Sequence, residues 1–304
     1  MSEFETTSQQ LRSTISTSAQ RLPWQLLAGL VLLAIAWPLA WFGPSPYSEY
    51  TFFPLWLGYI LTVDGITLRH AGTSLLARNG RRFALLFAFS IPLWWVFEFA
   101  NQFLGNWRYV QSTQRSTFAY VALASLAFST VMPAIFVTAE LYRSIGNFSF
   151  ARHWIRVTPS RSGLIAIAAL GLAMFVLSLV FSNVAFPLVW IGFFLFIDPL
   201  NALTGGKSIT AQIAAGRWDT VLILFMAGIT CGFFWEMWNF WSSPKWVYAV
   251  PFVGRPKLFE MPLLGYGGYL PFALEIYAFY HLMHSVVFHQ RDSYLHFDRE
   301  LDNR

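Results

Sequence analysis

The chain has 304 residues, of which 56% are hydrophobic and only 12% are charged. Ordinary soluble domains carry about 25% charged residues, so this composition excludes that class. The net charge of +5 does not indicate a nucleic-acid partner, because the basic residues lie in loops that flank apolar runs. We therefore predict an all-α integral membrane protein, since helices satisfy their own backbone hydrogen bonds in lipid.

Eight apolar runs are long enough to cross a hydrocarbon core of about 30 Å, which requires roughly 20 residues per helix. They are 24–42, 51–70, 83–104, 117–142, 162–181, 185–204, 218–241 and 261–283. The runs predict eight transmembrane helices in two four-helix groups, residues 24–142 and 162–283. A polar tail (1–23), a basic linker (143–161) and a second polar tail (284–304) complete the predicted organisation.

The Lys and Arg residues are divided unequally between the two predicted membrane faces. Fifteen lie in the tails, the linker and the loops on the same side, and the other five are Arg108, Arg115, Lys245, Arg255 and Lys257. Because Lys and Arg are enriched in cytoplasmic loops, we predict a multi-pass protein of the cell (inner) membrane with both termini in the cytoplasm. The sequence makes no prediction about oligomeric state.

The two groups share a residue pattern at a nearly constant offset. A first set recurs 134 residues later: Trp56, Gly58, Asp64, Gly72 and Ser74 become Trp190, Gly192, Asp198, Gly206 and Ser208. Three further pairs recur at offsets of 135 to 139: Glu98/Asn101, Trp107/Tyr109 and Glu140/Tyr142 become Glu236/Asn239, Trp246/Tyr248 and Glu275/Tyr277. The pattern predicts a tandem repeat. Each copy holds an even number of spans, so the copies would enter the membrane in the same direction.

Six of the repeated residues are acids inside predicted spans, where a charged carboxylate costs about 2.5–3.5 kcal/mol at mid-depth. Glu98 and Glu236 form an outer layer, and we predict that they are the catalytic acids. Asn101 and Asn239 lie three residues further on, on the same helix face, and are predicted to orient them. The predicted second polar layer consists of Asp64, Asp198, Glu140 and Glu275.

Two structural alternatives stay open for these acids. In the second layer, Asp64 would pair with Arg69 and Glu140 with Arg143. In the outer layer, each Glu and Asn would form a hydrogen-bonded lock between helices, without any chemistry.

Aromatic residues make up 19% of the chain and surround the outer acids. Such side chains suit a flat apolar ligand, and their rings stabilise a cation. The predicted substrate-binding residues are Trp107, Tyr109, Trp235, Trp246, Tyr248 and Glu260. The sequence contains no P-loop, no G-x-S-x-G, no HExxH and no clustered histidine boxes, so we predict neither a metal nor a cofactor.

The segment Phe234-Trp235-Glu236-Met237-Trp238-Asn239, followed by Trp246-x-Tyr248, resembles part of the membrane carotenoid-modifying enzymes. These are the lycopene cyclases of the small multi-span type and the carotenoid hydratases. They have an acid on a span, then an aromatic-x-Tyr pair, then a span containing Pro and Gly. The resemblance implies acid-catalysed chemistry on a polyene, with Glu98 and Glu236 as proton donors. The adjacent acid pair of the cyclases is missing, since only Glu275 follows Pro271.

Three functions are compatible with these patterns. The first is an enzyme or binding protein for an isoprenoid-like or carotenoid-like membrane lipid, with its site between the two copies. The second is a proton-coupled transporter, in which the two acid layers form a proton path. The third is a structural membrane subunit, in which the carboxylates only hold helices together.

The predicted topology is testable with an impermeant thiol reagent. A cysteine at Ser243 should react in intact cells, because the charge distribution places it outside the cytoplasm. A cysteine in the 69–82 loop should react only after permeabilisation. The unmodified chain is the control, because its one cysteine, Cys231, lies within an apolar run. Reaction of the 69–82 loop alone in intact cells would mean that the topology is reversed.

Overall fold

A computed structural model describes residues 22–110, 114–289 and 293–298, most of which are helical. The first half contains α1 (Trp24–Phe42), α2 (Phe52–Ala71), α3 (Leu75–Arg78), α4 (Gly80–Leu104), α5 (Thr117–Phe128) and α6 (Val131–Ile145). The second contains α7 (Arg161–Val180), α8 (Ser182–Ala185), α9 (Leu188–Leu203), α10 (Ile209–Ala214), α11 (Asp219–Asn239) and α12 (Tyr269–Phe288). Four short strands complete the fold: β1 (Trp107–Val110), β2 (Lys245–Tyr248), β3 (Lys257–Leu258) and β4 (Met261–Pro262).

Among the described residues, five segments are long and apolar enough to cross a membrane: α1, α4, the stretch Thr117–Ile145 that contains α5 and α6, α7 and α11. Helix α9 is also apolar but shorter, at 16 residues. Many large apolar side chains of α1 and α7 are exposed, as lipid-facing helices require. A helical, multi-pass membrane protein is therefore confirmed. The predicted number of eight spans stays a prediction.

Two predicted spans differ from the helices in the structure. The run 117–142 is interrupted at Ser129 and Thr130, whose hydroxyls donate to the carbonyls of Leu126 and Ala127 and so compete with the helical pattern. The run 261–283 begins too early, because α12 starts at Tyr269. Before it, Met261–Pro262 is a strand and Leu263–Gly268 is a 3-10 helix with three glycines, which disfavour a regular α-helix.

Glycines bring neighbouring helices together at matching places in the two halves. A side chain on Gly29 of α1 would lie 2.7 Å from the Gly58 carbonyl of α2. One on Gly171 of α7 would lie 2.7 Å from the Gly192 carbonyl of α9. Small residues allow this close backbone contact in membranes. The halves also pack on each other, with α6 against α11 and α4 against α12.

The loops gather at two ends of the bundle. One end, called here the linker end, contains the loops around Leu75, Arg152, Lys207 and Arg217, which contact one another or residues 293–298. The opposite end contains the segments around Glu49, Trp107, Arg115 and Trp246, and is called here the cavity end. The predicted cytoplasmic side corresponds to the linker end. Five of its basic residues, Arg12, Arg21, Arg291, Arg299 and Arg304, lie outside the described residues.

Most of the C-terminal segment 293–298 is buried, whereas the sequence predicts a polar tail from residue 284. Helix α12 continues to Phe288, and Tyr294, Leu295 and Phe297 lie in the core. Burial raises the pKa of Asp298, but the hydrogen bond from His281 and the charge of Lys207 outweigh it, and the pKa lies below its ordinary value. The segment also contacts both halves of the chain, and so closes the linker end.

Replacing Gly171 by leucine should separate α7 from α9, because the new side chain would overlap the backbone of Leu195 and Phe196. Overpacking of this kind costs about 1–3 kcal/mol. The expected result is a melting temperature several degrees lower for the detergent-solubilised protein. Gly163→Leu is the control, because a Cβ there makes only ordinary contacts at 3.4 Å. Equal melting of both variants and the original protein would contradict this packing.

Candidate functional site

An antiparallel ribbon at the cavity end joins the two halves of the chain. In it, Trp107 pairs with Tyr248 and Tyr109 pairs with Trp246. Side chains of paired residues lie on one face of a ribbon, as do those two positions apart. The four aromatic side chains therefore share a face. The ribbon is therefore symmetric, because the Trp of each strand lies opposite the Tyr of the other strand.

Glu98 of α4 lies next to β1, and one of its oxygens receives three hydrogen bonds. Oε1 accepts from the Trp94 indole at 3.0 Å, the Trp107 indole at 3.2 Å and the Tyr109 hydroxyl at 2.5 Å. The side chain is buried. Burial of a carboxylate is unfavourable without such donors, so these contacts account for its place inside the bundle.

Glu236 of α11 has the corresponding surroundings next to β2. Its Oε1 accepts from the Tyr248 hydroxyl at 2.7 Å, the Tyr269 hydroxyl at 2.8 Å and, more weakly, the Trp246 indole at 3.4 Å. The residue is completely buried, and Oε2 has no hydrogen-bond partner among the described residues. One oxygen is thus held in place, and the other remains available.

The two asparagines bind backbone groups, so the prediction that they orient the acids is wrong. Asn101 accepts from the backbone amides of Asn106 and Trp107 and donates to the Trp107 carbonyl. Asn239 accepts from the Trp246 amide and donates to the Trp246 carbonyl. Each asparagine fixes the start of a strand. The strand then carries the tryptophan and tyrosine that orient the carboxylate.

The ribbon tyrosines remain protonated under ordinary conditions. Burial, followed by the charge of Glu98, raises the pKa of Tyr109 well above its usual value. Burial and the charge of Glu236 do the same for Tyr248. Both phenols are therefore hydrogen-bond donors to the carboxylates. In the described part of the chain, no hydrogen bond joins Glu98 directly to Glu236, and the two acids are connected through the ribbon.

A cavity of about 570 Å³ lies over this ribbon and between the two halves of the chain. Its wall is largely aromatic: Phe272 packs edge-to-face on Trp94 at 5.6 Å and on Trp190 at 5.8 Å. Five of the six predicted substrate-binding residues line it, namely Trp107, Tyr109, Trp235, Trp246 and Tyr248. Glu260 does not line the cavity, contrary to prediction, because it pairs with Lys245.

The cavity also contains residues that the sequence did not single out. Glu49 and Arg115 form an ion pair in its wall, and the Arg115 guanidinium lies 5.3 Å from the centre of the Tyr50 ring. The hydroxyl of Tyr269 adds a donor to Glu236. Glu49 and Glu236, the acidic partners of Arg115 and Tyr269, lie far from them in sequence. The only signal in the sequence was that Arg115 is one of the five basic residues on its predicted side of the membrane.

Two acids of the second layer, Asp64 and Asp198, accept hydrogen bonds from the starts of short helices. Asp64 accepts from the Ser74 hydroxyl at 2.8 Å and the Leu76 amide at 3.1 Å, at the start of α3. Asp198 accepts from the amides of Ile209 and Thr210 at 2.7 and 2.8 Å, at the start of α10. Helix starts have unpaired amide donors. These two acids therefore hold the returning chain at the linker end, and Asp64 does not pair with Arg69.

The other two acids of this layer differ from each other. Glu140 forms an ion pair with Arg78 at 2.8 Å, rather than with Arg143 as expected. Glu275 is completely buried, and neither of its oxygens has a hydrogen-bond partner in the described parts of the chain. Glu275 therefore differs from the other three acids of this layer, each of which has a hydrogen-bond or ion-pair partner. Within the described residues, no group of three or more His, Cys, Asp or Glu side chains is arranged to hold a metal ion.

Tyr248→Phe should destabilise the site while keeping the aromatic ring in place. The change removes the 2.7 Å donor to Glu236, and depriving a buried polar group of its partner costs about 1–3 kcal/mol. A lower melting temperature of the purified protein is the expected result. Tyr266→Phe serves as the control, since that hydroxyl contacts the exposed Leu258 carbonyl at 3.3 Å. Equal effects of the two changes would argue against a bond that stabilises the site.

Comparison with known proteins does not assign a function to this site. No known protein family, no curated protein and no solved structure matches the chain. The resemblance of residues 234–248 to carotenoid-modifying enzymes therefore stays a prediction, and the function has to be argued from the site.

Proposed function

We propose that the chain binds a flat, isoprenoid-like or carotenoid-like membrane lipid in the cavity at the junction of two tandem four-helix copies. The cavity carries this proposal, because aromatic rings line it and tyrosines of its wall donate hydrogen bonds to two buried carboxylates, Glu98 and Glu236. A volume of about 570 Å³ is within the usual range for ligand sites, roughly 300–1,000 Å³. The ligand enters from the membrane, and no nucleic acid is involved.

Matching contacts in the two halves support the tandem repeat. Asp64 and Asp198 both bind the start of a short helix at the linker end. Glu98 and Glu236 both bind a Trp-x-Tyr strand at the cavity end. Equivalent residues thus lie at the same end, as parallel copies require. A two-fold axis along the membrane normal would pass through the ribbon.

The proposed chemistry is acid catalysis by Glu236, with Glu98 as its counterpart. Protonated Glu236 gives its proton, directly or through Tyr248 or Tyr269, to one carbon of an alkene, whose π electrons form the new C–H bond. The resulting carbocation is stabilised by the aromatic wall. In a cyclase, a second double bond attacks it and a proton returns to the carboxylate. In a hydratase, water adds and releases the proton.

A proton-coupled transporter is the second candidate, and Glu275 is the observation that favours it. This acid is fully buried and without a partner among the described residues, on the same helix as Tyr269 and His281. Ionisable groups of this kind mark proton paths in membranes. Transport would require the C-terminal segment 293–298 to leave the linker end, whereas catalysis at the ribbon requires no such movement.

The test of ligand class is to purify the protein from its native membrane and analyse extracted lipids by mass spectrometry and absorbance. An isoprenoid or polyene should co-purify in stoichiometric amount with the original chain. Trp235→Ala should reduce its recovery, because Trp235 lines the cavity. Trp24→Ala is the matched control, as that tryptophan is exposed on α1. Recovery of ordinary phospholipid alone would exclude the proposed ligand class.

Glu236→Gln should abolish conversion of the bound lipid while leaving folded protein in the membrane. The amide keeps the shape and the hydrogen bonds but removes the transferable proton, and such a loss reduces rates by about 10²–10⁴-fold. Glu260→Gln is the control, because this carboxylate pairs with Lys245 and not with the tyrosines of the cavity wall. Normal conversion in both Glu98→Gln and Glu236→Gln would exclude acid catalysis. A structural role predicts instead that Gln is neutral and that Glu236→Leu lowers folded yield.

A further inference from the structure

Two residues that line the cavity have a buried polar atom with no hydrogen-bond partner among the described residues. These atoms are Oδ1 of Asn106 and Nε1 of Trp238. Asn106 is only 5% exposed and Trp238 only 3% exposed. Leaving a buried donor or acceptor unpaired is unfavourable, so each such atom in a folded protein requires an explanation.

Neighbouring aromatic rings account for the Trp238 indole. Its ring is nearly perpendicular to those of Trp56 and Trp37, with ring centres 5.0 and 5.7 Å away. In this geometry the positive edge of one ring meets the negative face of another, and a ring face can also receive an N–H group. Oδ1 of Asn106 is an acceptor instead. A negative ring face cannot replace the donor that this oxygen lacks.

The backbone of Asn106 is held on both sides, at one end of the ribbon. Its amide donates to Oδ1 of Asn101 at 2.9 Å, and its carbonyl accepts from the Ala249 amide at 2.8 Å. The next residue, Trp107, donates its indole to Glu98 and pairs with Tyr248 across the ribbon. The position of Asn106 is therefore fixed, close to the residues that bind the two acids.

Other polar side chains of the cavity wall are already engaged within the protein. The hydroxyls of Tyr109, Tyr248 and Tyr269 donate to the acids, and Arg115 pairs with Glu49. The Asn106 oxygen differs from these groups, because it is left for a molecule in the cavity. That molecule has to supply an O–H or N–H donor. A pure hydrocarbon has none.

This polar group is present in only one half of the chain. Since Trp107 and Trp246 are equivalent at an offset of 139, Asn106 corresponds to Lys245. Lys245 does not line the cavity and pairs with Glu260. A cavity between two similar halves would accept a linear ligand in either direction. One polar contact at one end selects a single direction and so determines which part of the ligand lies near which acid.

We propose that Asn106 binds a hydroxyl group at one end of the ligand, which is therefore an isoprenoid alcohol rather than an isoprenoid hydrocarbon. The hydroxyl donates to Oδ1, and its own lone pairs accept from the side-chain amide group. The hydrocarbon part lies against the rings of Phe272 and Trp190, which also line the cavity. This inference rests on the proposed function, since it specifies the ligand of the same cavity.

The test compares three probes that share one C20 isoprenoid chain: geranylgeraniol, its methyl ether, and the hydrocarbon that ends in a methyl group. Binding to the full chain, purified and delipidated in neutral detergent, is measured by native mass spectrometry. The alcohol should bind about tenfold more tightly than the other two, because it alone supplies a donor to the buried oxygen. This comparison uses the original chain and does not depend on the folding of a variant.

Asn106→Leu should remove the preference, so that the three probes bind about equally. Its melting temperature without ligand should not fall, because the change removes an unpaired polar atom and no hydrogen bond of the side chain. Asn183→Leu is the matched control, since this asparagine is exposed and outside the cavity wall. It should keep the tenfold preference for the alcohol.

The outcomes separate this inference from the proposed function. Equal binding of the three probes by the original chain would overturn the role of Asn106 and leave an isoprenoid site intact. A preference that survives in Asn106→Leu would assign the hydroxyl to another residue and would also overturn it. Loss of folded protein in Asn106→Leu would identify a structural carboxamide instead. Binding of none of the probes would contradict the proposed function and this inference together.

Discussion

Burying a carboxylate in a membrane-embedded bundle is costly unless the protein donates hydrogen bonds to it, because water is excluded. This constraint determines how the loops of the structure are built. At the linker end, Asp64 and Asp198 bind the starts of short helices, and so fix the way the chain turns back into the bundle. At the cavity end, Glu98 and Glu236 bind tryptophan and tyrosine from two strands. The acids therefore hold the loops at both ends of the bundle in place, independently of any catalytic role.

The same constraint separates structural acids from candidate reactive ones. Both oxygens of Asp198 are hydrogen-bonded to Ile209 and Thr210, so this acid is fully used in holding the fold. Glu236 uses one oxygen, and its ring donors also line a cavity. Glu275 uses neither oxygen among the described contacts. Among the described contacts, the number of hydrogen-bonded oxygens thus falls from two in Asp198 to one in Glu236 and none in Glu275.

Much of this arrangement could be predicted from the sequence, since apolar runs indicate helices and the repeated Glu and Trp-x-Tyr positions indicated the ribbon residues. The ion-pair and hydrogen-bond partners of the buried charged residues could not be predicted. Glu140 pairs with Arg78 rather than the nearby Arg143, because the short helix α3 brings Arg78 back over the bundle. The roles of the asparagines were also hidden, since a side chain three residues from an acid on one face can equally bind the following backbone. Residues 293–298 were assigned to a polar tail, but the side chains of Tyr294, Leu295 and Phe297 enter the core.

The pairing of β1 with β2 has a consequence for the origin of the chain. Each strand presents its own Trp and Tyr to its own acid, but its hydrogen-bonding edge is completed only by the strand of the other half. A single four-helix unit would leave that edge unpaired at the membrane surface, where it would favour association. If the halves arose by duplication, the ancestral chain would have functioned as a homodimer, with the ribbon crossing its symmetry axis. Fusion would then have allowed the two copies to diverge, so that the two acids acquired different neighbours. The Tyr269 hydroxyl, for example, donates to Glu236.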